Sequence, residues 1–127
     1  MVLADRIGIV LPCKAEYVSV ARLTVSGIAS RIGFDIEIVE DIKVAVSEVC
    51  SRIINAAARL EEKYEILFDI FEDKLTITFV SDMEIMRCIF GDEDDELGLS
   101  IINSFMDKVE FSSENNNHIV IMTKKLG

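Results

Sequence analysis

The stretch "YEILFDIFEDKLTITFV", residues 64–80, constrains the fold more than any other. Tyr64, Ile66, Phe68 and Ile70 alternate with more polar residues, and Leu75, Ile77 and Phe79 do the same after Glu72 and Asp73. A period of two predicts strands, and the tight acidic turn predicts that the two strands pair as a hairpin. Each strand then has one apolar face, and the rest of the chain must supply the layer that covers it.

The remaining segments fit that demand. "RIGIVL" alternates through Ile7, Ile9 and Leu11 and stops at Pro12, as a first strand would. From Glu16 to Ile32 the apolar spacing becomes helical, with Ala21, Val25, Ile28 and Ile32 in one stripe and Gly33 placed to close the C-terminus. Asp35 is placed to cap a second helix running to about Leu60. A loop is expected from Ser81 to Glu96, then a short helix in "LGLSIINSFM". A closing hairpin follows, "KVEFSS" and "HIVIMTKKL" around "ENNN". The order strand, helix, helix, strand, strand, helix, strand, strand predicts one α+β domain over residues 1–127. Its sheet is mostly antiparallel and carries its helices on one face.

Charge and cysteine usage narrow the function. The net charge of −10 argues against direct nucleic-acid binding, which needs clustered Lys and Arg, and would steer in a basic partner. Cys13, Cys50 and Cys88 are scattered and form no CxxC pair, so a reduced, cytoplasmic location is expected. No apolar run approaches the roughly 20 residues that span a membrane.

Few residues suggest chemistry. His118 is the one histidine, and no Ser/His/Asp set or zinc spacing accompanies it. The second helix is more informative, because Asp41, Glu48, Arg52, Asn55 and Arg59 recur at helical spacing and share a face. Spacing alone leaves two readings of that face. One is a solvated stripe with an i,i+4 ion pair, and the other is a site.

"LPCKAEYVSVARLTVSGIASRIG" and "VEDIKVAVSEVC", followed in order by "LGLSIINSFMDKVEF" and "IMTKKL", resemble the bacterial anti-sigma-factor serine kinases. These belong to the ATPase superfamily of histidine kinases, gyrase and Hsp90. The resemblance covers essentially the whole chain. It implies a two-layer α/β sandwich, ATP and Mg²⁺ as cofactors, and a sigma factor or anti-anti-sigma protein as partner. It also implies a homodimer formed through the sheet and first helix, where Gly27 would permit close approach.

Carried over residue by residue, the resemblance makes Glu48 the general base. The Mg²⁺-binding asparagine four positions later is Arg52, which has donors and no acceptor, so no metal ligand is left there. Asp82 matches the adenine-reading aspartate, and the glycine that follows it in the family is Glu84. Thr123 matches a threonine near the adenine. Gly98 and Leu99 match the phosphate-binding turn into a helix, and a glycine just before them is Glu96. Arg22 matches a first-helix arginine that contacts partner proteins. The departures at Arg52, Glu84 and Glu96 fall at positions for metal, base and phosphate. They imply a partner-binding regulator whose ATP binding and kinase activity are weakened or lost. An active serine kinase with a remodelled site, and a structural dimerisation module, are the other readings.

Overall fold

The structure is a computed structural model that describes residues 4–56, 62–82, 96–114 and 117–127. The elements are β1 (Asp5–Pro12), a 3-10 turn (Ala15–Tyr17), α1 (Val18–Ile32), α2 (Ile36–Ala56), β2 (Lys63–Ile70), β3 (Lys74–Asp82), α3 (Glu96–Phe105), β4 (Lys108–Glu114) and β5 (Asn117–Lys125). This is the expected order. The strands form one five-stranded sheet, β1-β2-β3-β5-β4, with every neighbouring pair antiparallel.

The strand phases follow from the alternation. One face carries two rows across all five strands, Ile9–Ile66–Phe79–Val120–Phe111 and Ile7–Phe68–Ile77–Met122–Val109. In the three central strands these residues are buried under the helices. Each such side chain contributes roughly 1.5–3 kcal/mol on leaving water. At the two edges the cover runs out, so Ile7 and Phe111 are exposed although they share the face.

The helix layer is built from apolar stripes and explicit ends. α1 buries Ala21, Val25, Ile28 and Ala29, and α2 buries Val39, Ile42, Ala45, Val46, Val49, Cys50 and Ile53. α2 packs against both α1 and α3, and α3 contributes Ile102. Gly33 adopts φ 115°, a conformation that side chains other than glycine resist, and ends α1. The N–H groups of Gly33 and Phe34 both donate to the Ala29 carbonyl, at 3.3 and 3.2 Å. Two residues later the Asp35 carboxylate accepts the Ile38 N–H at 3.0 Å and caps α2.

Two boundaries differ from expectation. The first helix opens with a 3-10 turn at Ala15–Tyr17. β3 also runs on to Asp82, so Ser81 is a strand residue paired with His118 of β5, where a loop was expected. Serine and aspartate are turn formers locally, and here pairing with a distant strand overrides that preference. The expected end of the second helix near Leu60 lies outside the described residues.

Candidate functional site

The charged stripe of α2 resolves into one close pair. Arg52 Nε donates to Glu48 Oε1 at 3.2 Å, one helical turn apart. The Arg52 side chain is only 9% exposed, whereas that of Glu48 is 32% exposed. Arg52 follows the buried face of α2 closely, next to Ile53, so its aliphatic stem is covered. This is not a freely solvated arginine. Asn55, a turn further on, is exposed, and Arg59 lies outside the described residues. The pair is chemically self-contained in one respect: a carboxylate that could serve as base or ligand already has a guanidinium beside it. Among the described residues, no three His, Cys, Asp or Glu side chains form a metal-binding group.

The other expected positions do not all converge on Glu48. Gly98 and Leu99 are the third and fourth residues of α3, the helix that packs against α2, and Glu96 is its first. Asp82 ends β3 opposite Asn117. The last helix-facing place on β3, after Leu75, Ile77 and Phe79, is taken by Ser81, which is 4% exposed. Thr123 lies in the row Arg6–Asp69–Thr76–Thr123–Lys108 on the opposite face of the sheet. That row carries the Arg6–Asp69 ion pair at 2.7 Å. The resemblance had put Thr123 beside the adenine. The structure separates it from Glu48 by the thickness of the sheet, because Val120 and Met122 take the helix-facing phase of β5. In a strand a one-residue step reverses the face. Glu84 lies outside the described residues.

Sequence reasoning passed over a neighbouring group, Cys13, Cys50, Tyr64 and Ser81, although the alternation of 75, 77 and 79 pointed on to 81. Burial pushes the Cys13 and Cys50 thiols up to about 11. The neighbouring Glu62 carboxylate adds to the effect at Cys13. Burial also raises the Tyr64 hydroxyl, with Cys50 and Cys13 close by. On the outside of α1, Arg22 is exposed and makes no ion pair with any described residue, and Leu23 beside it is 74% exposed.

A two-layer sandwich with a five-stranded antiparallel sheet and its helices on one face has the architecture of the histidine-kinase-like ATPase fold. Residues 11–124 match the family of the histidine kinase-like ATPase domain, and the chain belongs to that family. It is 36% identical to the serine-protein kinase RsbW of Halalkalibacterium halodurans, over 96% of this chain and 84% of that protein. It is 39% identical to RsbW of Listeria innocua, over 94% and 87%. The crystal structure of the RsbU and RsbW domains of Rv1364c from Mycobacterium tuberculosis superposes with a TM-score of 0.74 at 12% identity, over 96% of this chain. This chain spans 32% of that longer one, and at this identity the likeness concerns the fold alone.

Proposed function

We propose that the chain is an anti-sigma-factor-type regulator. It binds a sigma factor and an anti-anti-sigma-type partner, and its ATP binding and serine kinase activity are weakened or lost. The observation that carries this reading is the Arg52–Glu48 pair. Where the resembling kinases hold Mg²⁺ with an asparagine oxygen, this helix presents a covered guanidinium, which repels a cation and offers it no lone pair. Glu48 keeps the position of the base, and Gly98 and Leu99 keep the position of the phosphate turn, without the metal that would complete them. Arg22 is the partner-binding residue on α1. The protein acts in the cytoplasm as a homodimer.

Calorimetric titration with Mg·ATP tests the loss of nucleotide. The expected result is no binding in the micromolar range, and micromolar affinity overturns the reading. The printed name of the relatives, serine-protein kinase, favours the second reading of an active kinase. That reading requires transfer of labelled phosphate from ATP to a serine of a cognate partner, and the first reading expects none.

A further inference from the structure

The two edges of the sheet differ. β4, at one edge, carries Lys108 and Glu110 paired at 3.2 Å, and charged side chains of this kind keep other strands away. β1, at the other edge, lacks such a guard. Its register with β2 runs unbroken through eight pairs, from Asp5–Ile70 to Pro12–Lys63, so no bulge turns it away. Arg6 is the one cation on the strand, and its guanidinium is drawn onto Asp69 of β2 by two hydrogen bonds of 2.7 and 3.1 Å. Asp5, Arg6, Ile7, Gly8 and Val10 are all exposed.

The phase of the ladder assigns the main-chain groups along that edge. Cys13, next in the same register, donates its N–H to the Glu62 carbonyl at 2.8 Å. Bonded and non-bonded pairs alternate in an antiparallel ladder, so Leu11, Ile9, Ile7 and Asp5 turn their main-chain groups to β2. Arg6, Gly8 and Val10 turn theirs outward, where no strand pairs with them. Pro12 falls in the outward phase too, and its missing N–H removes no bond to β2. The Pro12 carbonyl accepts the Lys14 N–H at 2.8 Å, so the open edge ends at Val10. Two apolar side chains stand beside the outward groups. Ile7, 42% exposed, is on the helix-facing side, and Val10, 59% exposed, is on the opposite side.

We infer that β1 is a docking edge for an extended segment of a protein partner, which adds antiparallel as a further strand of the sheet. The segment's main chain pairs with the outward N–H and C=O groups of Arg6, Gly8 and Val10, and such bonds supply affinity without selecting sequence. Selection comes from side chains. Apolar residues opposite Ile7 and Ile9 extend the helix-facing rows past their present end, and another opposite Val10 covers it on the other face. Charge adds the last position. Asp5 is exposed and makes no ion pair with any described residue, in a chain of net charge −10. A Lys or Arg opposite Asp5 completes the match. From the position opposite Val10, the segment therefore reads apolar, apolar, any, apolar, any, basic. This edge is separate from Arg22 on α1 and does not depend on the role proposed for it.

The probe is the end-blocked peptide Val-Val-Thr-Val-Thr-Lys, labelled with a fluorophore and titrated with the full chain by anisotropy. It is expected to bind below about 1 mM. Two singly N-methylated forms separate strand addition from apolar contact. Methylation of the first Thr amide, which faces Gly8, should weaken binding at least about tenfold. Methylation of the second Val amide, which faces away from β1, should change it by less than about threefold. Val10→Pro removes one outward N–H and keeps every bond to β2, so it should fold and lose at least about tenfold in affinity. Should that variant fail to fold, the two methylated peptides still decide. Replacing the peptide Lys by Glu should weaken binding more in the native chain than in Asp5→Asn. No binding, equal effects of the two methylations, full affinity in a folded Val10→Pro, or no preference for Lys over Glu overturns the inference. Sedimentation of the native chain and Val10→Pro is run alongside. A dimer lost in the variant would give the edge to a second copy, which also overturns the inference.

Discussion

Arg52 and Glu48 sit one turn apart on the same helix, so either side chain can be replaced without moving the other's backbone. An exposed pair at this spacing contributes roughly 0.2–0.5 kcal/mol. Arg52 is more covered than that, and its stem packs. Arg52→Ala is therefore expected to cost about 1–2 kcal/mol, read as a lower urea midpoint with an unchanged slope. Arg52→Asn tests chemistry instead, because it returns an amide oxygen beside Glu48. Mg·ATP affinity should rise at least about tenfold if Arg52 excludes the metal, and an unchanged titration would shift the blame to Glu84 and Glu96. The buried thiols make a separate prediction. Cys13 and Cys50 titrate near 11 in the fold, against an ordinary value of 9.0. Between those values the unfolded chain releases protons that the folded chain keeps, so stability is fully present below 9 and falls as pH rises toward 11. In a Cys88→Ala background, neither thiol should react with a disulfide reagent at neutral pH until the protein is unfolded.

At the scale of elements, the ends of the helices carry testable energy. Asp35→Ala removes the acceptor of the Ile38 N–H and should cost about 1 kcal/mol. Gly33→Ala forces a side chain into φ 115° and should cost about 1–2 kcal/mol, although no neighbour lies within 4 Å of the added carbon. Equilibrium unfolding of the two single variants and the double variant checks both values. Gly33 and Asp35 are separated only by Phe34, so the double variant also reveals any coupling between them. These ends were legible in the sequence, as were the element order and the phases of β2 and β3, because caps and alternation are written in neighbouring residues. The fate of Ser81 was not legible. Its local preference is for a turn, and only β5, more than thirty residues away, draws it into the sheet. The face of Thr123 was not legible either, for a related reason. Matching a motif fixes a residue's position along the chain, while the pleat decides its side, and a threonine suits either face. The Glu48–Arg52 spacing was visible from the start, but the cover over Arg52 depends on packing that spacing cannot report.

Across the whole molecule, one face of the sheet is covered by helices and the other is not covered by any described element. Val10, Leu67, Val80, Ile119 and Ile121 lie on that open face, flanked by the Arg6–Asp69 pair. If the proposed homodimer uses it, Leu67→Lys together with Ile121→Lys should move the protein to the monomer position in gel filtration. An unchanged elution volume would direct attention to α1 instead. Charge acts over a longer range than either surface. The net charge of −10 attracts a basic partner before contact, and this attraction is screened beyond roughly 8–10 Å at physiological salt. The exposed Arg22 has the opposite sign to that field, so in its proposed role it would contribute little to approach and act only on meeting an acidic group of the partner. The two effects should separate in kinetics. The association rate should fall as salt rises, and should do so almost equally in the native chain and in Arg22→Ala. The variant should instead dissociate at least about tenfold faster, as expected when a charged anchor is lost from an interface. Its own stability should change by no more than about 0.5 kcal/mol, because Arg22 is exposed and makes no ion pair with any described residue. A variant that bound more slowly with an unchanged dissociation rate would place Arg22 outside the contact and remove α1 from the docking surface.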